Sequence, residues 1–537
     1  MKDRSWDAVA DVVVVGFGGA GACAAIEAAD AGADVLAVDR FAGGGATALS
    51  GGVVYAGGGT DEQRAAGVAD DPDEMFRYLR LETGGAVHDD TLRRFCQGSA
   101  STISWLKGLG VGFDGHAAPY PTSYPTKEHY LYESGNEQAG PARALAVPAL
   151  RGHRVHGKGP SGAALFGALQ DAARRRGVRV QPGCRATRLV TDEHDRVVGV
   201  ECTTIHKAPG RVRREHRSLA ERLARPGTWH RPVDRKVSDR LDQIERRFGR
   251  TWRIRATRGV VLAAGGFQSN PVMVERHAPR YAFGPPLGTL GDDGSGLTLG
   301  EEVGAATRHL DRFSAWRFYT PPAALARGVL LGPSGERVCN EALFGATVAE
   351  HVLHEHGGRA YLLLDATTTA EARGQVASQT RWFQRVQAQS MLGSGSVTGA
   401  TVREVAAKAG IDVAVAQASV AAYNVVAGTG GADPLGKPPH LVRALEQAPF
   451  LLADVSVRSS RQFPCPVMSL GGLVVDEDTG QVLREDGSPV RGLYAAGRTA
   501  VGICSTSYVG GLSLADCVFS GRRAGRTVGA EVHDAVR

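Results

Sequence analysis

One turn near the N-terminus constrains this chain more than any other feature: Gly16-Phe17-Gly18-Gly19-Ala20-Gly21. It follows the apolar run Asp11 to Val15 and opens the small-residue stretch Ala20 to Ala31. The run reads as a parallel strand buried on both faces. The stretch reads as a helix ended by Gly32, and Asp34 to Asp39 as a second strand. In such a unit Gly16 permits the tight turn, Gly18 lets the backbone reach a pyrophosphate, and Gly21 lets helix and strand pack closely. Gly19 and Ala20 then present the positive end of the helix to the phosphates. Asp39, with Arg40 after it, ends the second strand, where a carboxylate accepts from ribose hydroxyls. The spacing predicts a bound dinucleotide.

A βαβ opening argues for the α/β class: a Rossmann-like binding domain. At 537 residues the chain exceeds a single core. Sheet-like pieces recur at Val178 to Val200, Arg258 to Ala264 and Gly492 to Ala496, with a different texture between. We therefore expect a dinucleotide-binding domain from 1–304 and 456–537, and an inserted α+β substrate domain at 305–455. Residues 207–258 form a basic excursion with acids interleaved, predicting an amphipathic helix from Val233 to Phe248 and a mostly solvated segment. Mixed signs and a net charge of +6 argue against nucleic acid. The opening MKDRSWDAVA lacks leader features, and no apolar stretch reaches the roughly 20 residues of a membrane span. With eight scattered cysteines and no metal-ligand spacing, a cytoplasmic protein with reduced thiols is expected.

A second glycine segment follows: Gly43-Gly44-Gly45-Ala46-Thr47-Ala48-Leu49-Ser50-Gly51-Gly52. Nicotinamide-binding domains have no use for it. It resembles the loop that lines the pyrophosphate and flavin ring in the FAD-dependent fumarate reductase and 3-ketosteroid dehydrogenase flavoproteins. Four further stretches are similar to that family in the same order. They are Leu262 to Phe267 (with Ala264 and Gly265), Gly291-Asp292-Asp293-Gly294, Gly492 to Arg498 (with Gly497), and Gly510-Gly511-Leu512-Ser513-Leu514-Ala515-Asp516. The resemblance implies FAD as the cofactor, with Ala186 added to its contacts, and a helix N-terminus at Gly511 facing the flavin. Residues 40–52 contain no histidine for a covalent link, so the flavin should be non-covalent.

Within that family the chain looks most like the dehydrogenases acting at the 4,5 bond of 3-oxo-5α-steroids. Arg317-Phe318-Tyr319, Ser123-Tyr124-Pro125, Tyr130 to Asn136 and Ser507 to Ser513 carry the similarity. It implies removal of hydrogen next to a ring ketone, hydride to flavin N5 and proton to a tyrosine, with Tyr319, Tyr508 and the Gly511 backbone at the reacting centre. A small polycyclic ketone or enone and an external electron acceptor or donor would be the partners. Such chemistry needs a hydride acceptor, a base for the alpha proton and a donor to the ketone oxygen. Where the 4,5-dehydrogenases have a serine two residues after the second tyrosine, this chain has Gly510, which either passes its role to Ser507, Ser505 or water or means a different substrate. Arg327, in Ala326-Arg327-Gly328 before Gly335 to Glu341, is the proton donor required by an alternative, a flavin ene-reductase of fumarate reductase type. A non-catalytic flavoprotein that binds a hydrophobic ligand is the third reading.

Overall fold

The computed structural model describes residues 5–157, 160–223, 231–460 and 463–531. The first apolar run becomes β1 (Ala8–Val15), between β2 (Val35–Asp39) and β9 (Arg250–Leu262), both parallel to it. Its side chains alternate between two cores: Val13 and Val15 face one, Val12 and Val14 the other. With both faces covered there is no polar face to keep, so the second half of the strand, Val12 to Val15, reads as unbroken valine.

β6 (Arg179–Pro182) extends the sheet beyond β2, and Pro489–Ala495 extends it beyond β9, both in parallel. The C-terminal segment thus returns to the sheet that the N-terminus began. β7 (Cys184–Thr191) and β8 (Val197–Thr204) form an antiparallel pair joined to β9. A small sheet holds β3 (Val53–Tyr55), β5 (Gly152–Arg154) and β4 (Leu131–Tyr132).

The helix Gly19–Asp30 lies against the C-terminal helix Leu512–Ala530 almost backbone to backbone. Gly521, Gly525 and Gly529 recur every fourth residue and so share one face. A Cβ on them would meet Ala20 O at 2.5 Å, Ala24 O at 2.3 Å and Ala28 Cα at 2.9 Å. This glycine stripe locks together two helices that each begin at a glycine loop.

Between these pieces, Val329–Leu331, Tyr361–Leu364, Phe450–Asp454 and Ser396–Gly399 form a separate antiparallel sheet. Its one face has its own core of Val329, Leu331, Leu363, Tyr423 and Leu452, while Leu330, Leu362, Leu451 and Ala453 join the main core.

In the 207–258 segment most described side chains are exposed or half-buried, as expected, and a few dock inward. Helices Gly210–Leu223 and Arg231–Phe248 sit between β8 and β9, and 250–258 belongs to β9 itself. Val237 and Leu241 are buried against Phe41 and Leu290. The apolar inner stripe at helical spacing is that of the amphipathic helix expected at Val233 to Phe248. Among the described residues no helix is long and apolar enough to cross a membrane, no metal-binding cluster occurs, and the cysteines are free.

Candidate cofactor and active site

The two glycine segments lie against each other. Gly44 N donates to Phe17 O at 2.8 Å, and Gly19 N donates to Thr47 Oγ1 at 3.1 Å. Ser50 closes the second loop, donating to Thr47 O and accepting from Gly52 N, while Gly51 O accepts from the Tyr124 hydroxyl. The glycines divide into two kinds. At Gly16 and Gly21 an added Cβ would sit 2.5 Å from Ala263 O and 2.0 Å from Gly16 O, so these serve close packing. At Gly18 and Gly45 it would meet nothing nearer than 3.7 Å. A side chain there would make only ordinary contacts, so these two glycines are not demanded by packing, and their bare backbone is what a pyrophosphate cradle needs. Gly45 starts the short helix to Leu49 with Ala46 in its first turn, and Gly497 abuts Ala20, its Cβ position 2.8 Å from that methyl. The residues present therefore fit a dinucleotide.

Asp39 is held by three backbone donors: Phe17 N and Phe41 N at 2.8 Å, and Gly43 N at 3.3 Å. Burial nonetheless pushes its carboxyl up. It fastens the turn and still has lone-pair capacity for a ribose. Arg40 runs instead to Asp242, Glu245 and Asp293. Arg498 is buried on Asp292 (2.6 Å) and Gln268 (3.0 Å), fixing the Gly265 turn, where φ is +87°. Ala264 adjoins that turn, with its Cα 2.8 Å from the Cβ position of Gly16. Ala186 lies in β7 opposite Cys202.

The C-terminal helix starts at Gly511, φ +91°, with no capping side chain, and its first turn is Leu512, Ser513 and Leu514. A left-handed glycine lets the chain reverse without a Cβ clash. Here a Cβ would strike Tyr55 N at 2.8 Å. Tyr55 N donates to Gly511 O, and Gly510 N donates to Ser134 O.

Tyr508 stands directly before this helix, its hydroxyl accepting from Gly511 N at 3.5 Å, which leaves the phenolic proton to donate. Burial pushes that hydroxyl up, so it stays protonated at neutral pH. Its ring stacks on Trp316 (5.3 Å, 23°) beside Phe344, in an apolar cluster with Met468, Leu470, Phe318 and Leu287.

Tyr319 belongs to a different apolar cluster from Tyr508. From Phe313 onward side chains alternate: Phe313, Ala315 and Tyr319 enter the main core, while Trp316 and Phe318 face Tyr508. The Tyr319 hydroxyl donates to Glu341 O at 2.7 Å, which uses its only proton. Arg317 is buried between Phe463 and the Arg458 carbonyl. Arg327 pairs with Glu371, which also takes Arg443.

Sequence reasoning missed the acids behind the cluster. Glu82 accepts from Ser507 Oγ (3.1 Å), Tyr78 OH (3.2 Å) and Asn136 Nδ2 (2.9 Å), and burial pushes it up. Glu133 and Glu137 are raised by burial; Glu137 takes the Tyr55 hydroxyl at 2.8 Å. Ser505 Oγ accepts from Gly502 N. Ser134 fills the space a side chain at 510 would need, with its Cβ 3.1 Å from the Gly510 Cβ position. Only partnerships distant in sequence reveal these acids.

Residues 11–514 match the family model described as an FAD binding domain. The 3-oxo-5-alpha-steroid 4-dehydrogenase of Comamonas testosteroni is 38% identical over 92% of this chain and 93% of its own length. The crystal structure of 3-ketosteroid-delta4-(5alpha)-dehydrogenase from Rhodococcus jostii RHA1, in complex with 4-androstene-3,17-dione, aligns with a TM-score of 0.83. It is 31% identical and covers 98% of both chains. A fumarate reductase (cytochrome) of Shewanella frigidimarina is 24% identical over 96% of this chain and 76% of its own. The chain belongs to the FAD-binding flavoprotein family, in its 3-ketosteroid dehydrogenase-like group.

Proposed function

We propose that the protein is an FAD-dependent dehydrogenase that takes hydrogen from the C–C bond alpha and beta to a ring ketone, its substrate a 3-ketosteroid or similar polycyclic ketone. The observation that carries this is Tyr508: a buried phenol with its proton free, at the start of the glycine-led helix and inside an aromatic cluster. FAD, when bound, supplies the hydride acceptor. It is held non-covalently by Gly16 to Gly21, Asp39, Gly45 to Gly52, Ala264, Gly265, Gly497 and Gly511 to Leu514. Residues 305–455 supply the substrate side of the cleft, including Trp316, Phe318 and Phe344.

Tyr508 donates to the ketone oxygen as enolate charge builds, and the Gly511 helix end stabilises the same negative charge. The alpha proton leaves through Ser507 to Glu82, a carboxylate whose burial raises its affinity for protons. Tyr319 enters by resemblance alone, and Tyr319→Phe tests it: loss of turnover with unchanged folding would give it a role in the reaction. An external acceptor reoxidises the flavin.

The ene-reductase reading needs a free cation at the substrate. Arg327 is instead paired with Glu371, and the cluster around Tyr508 is apolar. Anaerobic flavin bleaching against saturated 3-ketosteroids, with fumarate and enones as reoxidants of reduced enzyme, tests the proposal. Fast bleaching by the saturated ketones supports it. Reoxidation by fumarate alone would overturn it, and no response to any would favour a non-catalytic flavoprotein.

A further inference from the structure

The segment between β8 and β9 has no part in the chemistry above, yet it is built into the cofactor domain at one particular place. The strand β2 ends at Asp39, where the βαβ unit receives the ribose of a dinucleotide. The next two residues leave the sheet and engage the helix Arg231–Phe248. Arg40 pairs with Asp242 and Glu245 on that helix, and reaches Asp293 at 3.5 Å. Phe41 packs with Val237 and Leu241, alongside Leu219 of the preceding helix and Leu290.

Glu245 also meets His216 at 3.3 Å, tying the two helices together. Burial would raise the Glu245 carboxyl, but His216 and Arg40 outweigh it and hold the carboxyl below the usual range. Asp242 and Glu245 of this mixed segment thus turn onto Arg40, with Arg185 3.9 Å from Glu245 and 3.8 Å from Asp293, while Glu215, Glu221 and Asp239 stay exposed.

Between the helix and the dinucleotide fold lies a cavity of about 270 Å³. Arg40, Arg185 and Asp293 line it from the sheet side with Leu290, and Ser238 and Asp242 from the helix. Its two arginines and two aspartates balance in charge, beside Leu290 and Pro271, which suits a neutral purine and its ribose better than a free anion.

We propose that the helix pair Gly210–Leu223 and Arg231–Phe248 clamps the adenosine half of FAD, latched by Arg40 to Asp242 and Glu245. This rests on the FAD reading above. A clamp of this kind acts on release, because the adenosine cannot leave until the latch opens.

The test uses Asp242→Asn with Glu245→Gln to open the latch, and separately Leu241→Asn to loosen the apolar contact. FAD release is followed by the recovery of flavin fluorescence, and FMN, which lacks adenosine, is the second probe. Each variant should release FAD about tenfold faster, a change of one decade in Kd, with FMN affinity unchanged and wild-type circular dichroism. Unchanged FAD release from both folded variants would overturn the clamp. Equal weakening of FAD and FMN would overturn it too, showing a general effect on the domain. If the wild type binds FMN and FAD equally well, the adenosine site fails. If it binds neither, the cofactor reading itself has failed.

Discussion

Gly21→Ala adds one methyl where the first helix leaves β1. Its Cβ would lie 2.0 Å from Gly16 O and 3.2 Å from Val14 Cγ1. Ordinary carbon contacts lie near ~3.5 Å, so the helix must back away by roughly 1.5 Å. Gly16 cannot yield instead: its N donates to Val38 O, and its own Cβ position is 2.5 Å from Ala263 O. Retreat on the far side is blocked by the Gly521 to Gly529 stripe. Overpacking of this severity costs about 3 kcal/mol, and the better helix propensity of alanine returns about 1 kcal/mol. The net loss of about 2 kcal/mol corresponds to roughly a 30-fold shift in the folding equilibrium. Moving the helix N-terminus should also weaken FAD binding. Thermal unfolding with and without FAD, together with the flavin content of purified protein, measures both. A variant with wild-type melting and full flavin content would refute the packing role assigned to Gly21.

Tyr508→Phe should lower kcat by about 10²–10³-fold with little change in KM, because the stack on Trp316 survives; anaerobic stopped-flow bleaching reads this, and a drop of less than threefold would remove Tyr508 from the reaction. Arg327→Ala should leave turnover with a saturated ketone unchanged, since Arg327 serves the Glu371 pair; steady-state rates on ketone and fumarate check it. Gly510→Ser should lower the melting temperature by crowding Ser134, and Ser134→Gly in the same chain should restore it. Burial raises Asp516 to about 6, from 3.8 for an unperturbed group. The folded state then holds a proton that the unfolded chain has lost, so the contribution of Asp516 to stability is fullest at acid pH and declines as pH rises from 3.8 to about 6. Asp516→Asn should flatten that decline in a melting-versus-pH series.

The sequence by itself determined the dinucleotide fold and the kind of cofactor. Tight turns, positive φ and close backbone approach are local demands, and only glycine meets them, so Gly16 to Gly21, Gly43 to Gly52 and Gly511 declare themselves in one dimension. The valine run of β1 did so for a related reason, since burial on both faces leaves no polar alternation. Tertiary structure decided everything that depends on which side chain faces which. Strand alternation sends Tyr319 into the core and turns Trp316 and Phe318 toward Tyr508. Asp39 and Arg498, read as ligand contacts, also carry the scaffold through bonds to distant backbone and to Asp292. The contacts of Glu82, of Ser134 and of the helix at Arg231–Phe248 with the cofactor domain were invisible for the same reason. Their partners lie up to hundreds of residues away, as Ser507 does from Glu82, and neither spacing nor periodicity encodes a contact across such a distance.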